Sequence, residues 1–445
     1  MSTDGVLSLI GFGMVVTFMA LIMLRRMSPL VALTLVPIIF AVVGGFGGVE
    51  LKSMLQDGIK TLAPTGVMLT FAILYFGLMI DVGLFDPVVK LILRLAGNDP
   101  LKIVLGTAML AAVISLDGDG STTYMVVTAS MLPLYQRLKI NVLNLTCVTM
   151  LAGGVMNLTP WGGPLARVSS ALRVDPMSVF VPLLPAMGVG VAAVLALAVY
   201  LGAQERRRLG TLTFSAAHAT LSTAADEPAS ATTSPETRRP RYFWFNAALT
   251  VGLMVLLIAG ALPSAVLFMI GFAIAITLNF PNLADQRERI AAHARNVLAV
   301  VSVIFAAGVF TGILNGTGMV DAMSKTFLAI LPQQLGPYLA PVTAIASMPF
   351  TFFLSNDAFY FGVMPVVADA AANYGINTVD MARASLIGQP VHLLSPLVPS
   401  TYLLVGLAGV EFGDHQRFTI GWATLLCLLM VVAGLAFGVF PLSAA

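Results

Sequence analysis

The sequence predicts an all-α polytopic membrane protein made of two inverted repeats, each with about five crossings and one re-entrant hairpin. Three observations predict it. Of 445 residues, 58% are hydrophobic and only 10% charged, and the mean hydropathy is +0.93; soluble globular chains carry about 25% charged residues. Apolar runs recur at the length a spanning helix needs, about 20 residues. The order of elements also matches on the two sides of a polar segment at 203–241.

The first half, 1–202, offers spans at 6–24, 29–48, 62–84, 142–172 (interrupted) and 177–201. The start, Met1-Ser2-Thr3-Asp4-Gly5, has no basic n-region, so the first run reads as a retained helix and not a signal peptide. An amphipathic piece runs from Asp86 to Leu95, followed by a hairpin at 103–134. Its uncharged flanks are about a dozen residues each, roughly 18 Å of helix, short of the ~30 Å hydrocarbon core. Two such arms meeting at Gly118 and Gly120 read as a hairpin that enters and leaves on one side. The 142–172 span breaks at Met156-Asn157-Leu158-Thr159-Pro160-Trp161-Gly162-Gly163-Pro164.

The segment 203–241 is Ser/Thr/Ala/Pro-rich between basic ends and reads as a flexible cytoplasmic linker. The second half, 242–445, offers spans at 242–261, 263–280, 297–315, 379–410 (interrupted) and 417–440, with an amphipathic piece from Val320 to Leu331 and a hairpin at 338–370. One offset brings Tyr124 onto Tyr360 and Pro160 onto Pro396; one position less brings Gly77 onto Gly312, Gly83 onto Gly318 and Asp86 onto Asp321. Five crossings per half is odd, which inverts one half against the other, as in many transporters with broken helices. With Arg25 and Arg26 placed in the cytoplasm, most Lys and Arg fall inside, as the positive-inside rule requires. Both termini are then outside, the first hairpin enters from the cytoplasm, and the second from outside.

Chemistry concentrates at two hairpin tips and two breaks. The first tip reads Ser115-Leu116-Asp117-Gly118-Asp119-Gly120-Ser121-Thr122-Thr123-Tyr124, the second Leu354-Ser355-Asn356-Asp357-Ala358-Phe359-Tyr360. A carboxylate at membrane depth costs roughly 2.5–3.5 kcal/mol on the lenient scale, which makes Asp117, Asp119 and Asp357 site candidates. The second break is His392-Leu393-Leu394-Ser395-Pro396-Leu397-Val398-Pro399-Ser400-Thr401. Proline removes a backbone donor, so both helices open; opened helices present carbonyls to cations and N-termini to anions. Ser121, Thr122, Thr123, Asn157, Thr159, Ser355, Asn356, Ser395, Ser400 and Thr401 add neutral hydrogen-bonding groups. An anionic cargo suits these donors but not the aspartates. A hard divalent cation, or protonation, resolves that conflict.

SLDGDGSTTY, MNLTPWGGP, LSNDAFYFGVMPVV and QPVHLLSPLVPSTYLLVGLAGVEFGDHQRF resemble the citrate–divalent metal:proton symporter family, within the ion-transporter superfamily. The resemblance covers nearly the whole chain except the linker. It implies secondary import of citrate complexed with a divalent cation (Mg or Ca type) that travels with the substrate, driven by protons, with no permanently bound cofactor. It also implies an elevator-type fold, a homodimer in the bacterial plasma membrane, and a lipid bilayer as surroundings. Sodium-driven relatives carry Ser-Asn-Thr at the tips; Gly120-Ser121-Thr122 and Ser355-Asn356-Asp357 here speak against sodium coupling.

Plainer readings stand beside these. Asp117, Asp119 and Asp357 can cap the returning hairpin arms. Arg167 holds a substrate carboxylate or sits in an interfacial loop; His392 carries a proton or is structural; Trp161 walls the site or anchors at the interface. Asp81 reads as interfacial, and Asp86 and Asp321 as caps of their amphipathic pieces. Cys147 and Cys427 sit in apolar runs and read as core residues. Competing functions are a metal-free di- or tricarboxylate carrier or ion antiporter on the same fold, and an intramembrane aspartyl protease. The protease is disfavoured because the aspartates sit on glycine-rich tips instead of on facing helices. No nucleotide-binding loop occurs, and no nucleic-acid partner or enzymatic activity is expected.

Overall fold

In the computed structural model, which describes residues 3–24, 26–97, 99–118, 120–209 and 237–444, the chain is all-helical, with no strand among the described residues. Helices α1 (Thr3–Met23), α2 (Pro29–Val43) and α3 (Gly48–Asp81) lead to amphipathic α4 (Asp86–Ala96). The first hairpin is α5 (Pro100–Ile114), a 3-10 turn (Ser115–Asp117) and α6 (Gly120–Leu138). The first broken helix is α7 (Val142–Met156) with α8 (Gly163–Leu172), and α9 (Pro176–Leu209) closes the half.

The order then recurs: α10 (Phe243–Ile258), α11 (Ser264–Asn279), α12 (Leu283–Gly316) and amphipathic α13 (Met319–Ile330). The second hairpin is α14 (Leu339–Phe353), a π turn (Ala358–Val363) and α15 (Met364–Ala372). The second broken helix is α16 (Thr378–Leu386), α17 (Gln389–His392) and α18 (Pro399–Ala408), followed by α19 (Phe412–Ala436). Seven stretches among the described helices are long and apolar enough to cross a membrane.

Local chemistry sets these boundaries. Asp99, Asn141, Asn282 and Asn377 each cap a helix by accepting a backbone N–H two residues on. Pro29, Pro100, Pro164 and Pro399 stand in first turns, where no N–H is missed. Gly83 and Gly318, at φ +80° and +74°, make the left-handed turns into the two amphipathic helices.

Several expectations change. The arms of the first hairpin run Pro100–Asp117 and Gly120–Leu138, 18 and 19 residues, so the argument that they are too short to cross does not hold. Polar flanks such as Lys102 and Gln136 are helical too, and hydropathy alone misses them. For the same reason α3 and α12 each reach 34 residues, starting well before 62 and 297. The linker shortens, because 203–209 continues α9, with Glu205 bonded to Asn144 and Arg208. Most of the remainder, 210–236, lies outside the described residues. Asp86 and Asp321 sit in first turns, favourable for the helix dipole, but neither is the cap: those positions are Phe85 and Gly318.

Two apolar clusters organise the packing. One gathers both hairpins, most of both broken helices, α9 and α19. The other gathers α1–α3 and α10–α13, and receives Trp161, Ala166, Ala171, Phe361 and Val366 from the first set of elements. Within the second cluster α3 and α12 touch backbone to backbone: a Cβ on Gly58 would lie 2.0 Å from the Gly308 carbonyl oxygen. Within the first, the broken helices cross where a Cβ on Gly154 would meet Pro390 Cα at 2.9 Å.

Candidate functional site

A cavity of about 700 Å³ opens between the two clusters, and both tips and both breaks line it. Of the sequence-predicted residues it collects Asp117, Ser121 and Thr122 from the first tip; Asn157 and Arg167 around the first break; Ser355, Asn356 and Asp357 from the second tip; and His392 and Ser400 around the second break. Asp119 lies outside the described residues.

The first tip is fixed from below. Gly118 takes φ +77°, and Trp161 packs so tightly under it that a Cβ there would sit 2.9 Å from the indole Cδ1. The Trp161 indole N–H donates to the Leu116 carbonyl at 2.8 Å, and the ring lies among Phe76 and Phe268. Trp161 is therefore a floor of the site and not an interfacial anchor. Ser115 and Thr123 hydroxyls bond across the tip at 3.1 Å.

The second tip is tied to both breaks. Ser355 Oγ accepts the Ala358 N–H at 3.1 Å, so Ser355 caps the returning arm and Asp357 does not. Asp357 instead accepts from Arg167 Nε at 2.6 Å, with the two side chains 11% and 23% exposed. Arg167 stands on helix α8, not in a loop, and its Nη1 also donates to the Gly163 carbonyl at 3.0 Å. Asn356 and Gln389 exchange amide hydrogen bonds at 3.3 and 3.1 Å, and Gln389 reaches the Tyr360 hydroxyl at 2.8 Å. His392 Nδ1 lies 2.6 Å from the Thr351 carbonyl. A carbonyl only accepts, so Nδ1 carries the proton and Nε2 is the nitrogen left to titrate.

Three predicted ligands are not in the cavity lining. Ser395 Oγ accepts the Leu397 N–H, and Thr401 Oγ1 donates to the Leu393 carbonyl, so the two hydroxyls satisfy both ends of the helix bond that opens beside Pro396. Thr159 is 2% exposed and its carbonyl accepts the Gly162 N–H, closing the turn of the first break.

The opposite wall comes from α3 and α12, and sequence reasoning missed it. Asp81, at the end of α3, is buried there; His293 Nε2 donates to its carboxylate at 2.9 Å and Arg289 stands at 3.6 Å. His293, Asn296, Ala299 and Val300 follow one another at helical spacing along the lining. Starting the span at 297 hid the first two.

The lining thus carries three carboxylates (Asp81, Asp117, Asp357) against one guanidinium, Arg167, with two imidazoles. Among the described residues no group of three His, Cys, Asp or Glu side chains could hold a metal ion unaided. A divalent cation entering here would therefore take much of its oxygen shell from whatever it is bound to. Asp357 and Ser355 also line a second cavity of about 570 Å³, with Ile22, Pro29 and Tyr402, so the second tip, with Leu397 and Pro399 of the second break, borders both spaces.

Hairpin tips and interrupted helices around one cavity, in a chain of membrane-length helices, are the architecture of a transporter. The comparisons agree. The family model described as "Citrate transporter" (CitMHS) matches residues 14–388, and the chain belongs to that family. It is 55% identical over 433 residues to the "Citrate transporter" of Bacillus subtilis (strain 168), covering 97% of this chain and 99% of the relative. It is 49% identical over 437 residues to the "Mg(2+)/citrate complex secondary transporter" of the same organism, covering 98% and 100%. Among solved structures, the Alcanivorax borkumensis YdaH transporter, described as having an unusual topology, matches with TM-score 0.53 at 13% identity, over 88% of this chain and 90% of that one. This last likeness concerns fold alone. The protein is a multi-pass plasma-membrane transporter.

Proposed function

We propose that this chain imports citrate as its complex with a divalent cation of the Mg or Ca type, in symport with protons. The observation that carries the reading is the single cavity in which both tips and both breaks meet, with carboxylates outnumbering the guanidinium. A free citrate anion meets these carboxylates at close quarters, and a cation held between cargo and aspartates offsets the like-charge repulsion. The relative named as a magnesium–citrate carrier supports the same cargo. Ser121, Thr122, Asn157, Ser355, Asn356 and Ser400 hydrogen-bond the anion, Arg167 binds a carboxylate, and Asp117 and Asp357 face the metal. His392 Nε2 carries a proton.

The cluster holding the hairpins is the moving body and the cluster of α1–α3 and α10–α13 the scaffold. The halves are inverted repeats, and two chains form a homodimer. The deciding experiment is uptake of labelled citrate into proteoliposomes across a panel of divalent cations. Uptake should require a cation and acidify the lumen. Full activity in chelator, with competition by succinate, would instead identify a metal-free carboxylate carrier.

A further inference from the structure

We propose that the Arg167–Asp357 ion pair is an interlock that admits the cation and its anion only together; this rests on the metal–citrate reading above. The two charges come from elements far apart in sequence, α8 beyond the first break and the tip of the second hairpin. They meet at 2.6 Å, at 23% and 11% side-chain exposure. Parting such a pair leaves each charge uncompensated in a low-dielectric site.

Each component alone meets that penalty. A citrate carboxylate that takes Arg167 strands Asp357 as a bare, poorly hydrated anion. A cation that takes Asp357 strands Arg167. The complex performs both replacements at once: metal to Asp357, carboxylate to Arg167, with the charges balanced at start and finish. Geometry favours this swap. Arg167 Nη1 is already anchored to the Gly163 carbonyl, so the guanidinium stays in place when Asp357 leaves it. A Cβ on Gly163 would lie 2.8 Å from Nη1, so glycine there leaves the guanidinium its present place. The exchange also releases the second tip, which borders both cavities, from α8.

The test is calorimetric titration of the purified full chain with citrate alone, Mg²⁺ alone, and the two together. Asp357→Asn should bind metal-free citrate more tightly than wild type by roughly tenfold or more, with its metal dependence largely gone. Arg167→Gln should bind Mg²⁺ alone more tightly than wild type by a similar factor and lose citrate. Thermal unfolding confirms that each variant is folded, and if one is not, the other still reads half of the exchange. A folded Asp357→Asn that needs metal for citrate as wild type does, or a folded Arg167→Gln with no gain for Mg²⁺, overturns the interlock. Failure of the cargo reading shows separately, as wild-type citrate uptake that persists in chelator.

Discussion

Single atoms decide much at the tips. Gly118 combines a left-handed φ with Trp161 2.9 Å from where a Cβ would lie. Gly118→Ala should lower the thermal midpoint, by about 1–2 kcal/mol for the φ strain alone, and slow uptake by displacing Trp161. Trp161→Phe keeps an aromatic ring but loses the bond to the Leu116 carbonyl and part of the buried indole. We expect a cost of about 1 kcal/mol for the bond plus a cavity cost in thermal unfolding, with a smaller effect on uptake than Gly118→Ala. His392→Asn separates two roles of one side chain: an amide N–H can still reach the Thr351 carbonyl, but Nε2 is gone. Citrate binding by calorimetry should persist, while citrate-driven proton entry, followed with a lumenal pH dye, should fall away. Equal loss of both would return His392 to a structural role. The acidic and proline-marked residues were visible in the sequence because charge or Pro in apolar surroundings is conspicuous. Arg167 was visible as a candidate, but its partner was not, since no local pattern predicts a contact across 190 positions. Ser395 and Thr401 misled because a hydroxyl beside a proline serves backbone and ligand equally well by sequence.

At the scale of elements, the most demanding contact is between α3 and α12. A Cβ on Gly58 would lie 2.0 Å from the Gly308 carbonyl oxygen, and one on Gly312 2.4 Å from the Met54 carbonyl oxygen. Here small residues let two 34-residue helices approach closely. Gly58→Ala must push the backbones apart, at about 1–3 kcal/mol for overpacking, and should reduce the folded yield and the thermal midpoint in detergent. The same pair of helices brings Asp81, His293 and Asn296 to the cavity wall. Element order and type were legible because apolar runs, prolines and glycines punctuate this chain strongly. Helix ends were not: hydropathy reports the depth of hydrocarbon, whereas residues such as Glu50, Lys52 and Gln56 extend a helix readily outside it.

For the whole molecule, the proposed motion of one cluster past the other can be arrested. Gly362 on the second hairpin faces Val15 on α1, with Cγ1 3.0 Å from where a Cβ would sit. Paired cysteines there fall within disulfide reach, and the native Cys147 and Cys427 are buried, so background oxidation should be low. Oxidising Val15→Cys/Gly362→Cys should abolish uptake while citrate binding survives, and reductant should restore transport. Undiminished uptake by the cross-linked protein would exclude relative movement at this contact. The two clusters were not legible from sequence, because which apolar face meets which is set by packing and not by periodicity.

Ser355 and Asp357, with Leu397 and Pro399, border both cavities. A wall shared by two spaces in a membrane carrier has to hold back ions as well as bind cargo. Whenever it frays with nothing aboard, the gradient that powers accumulation drains without work being done. Liposomes carrying a loosened second tip should therefore discharge an imposed pH difference faster in the absence of any solute.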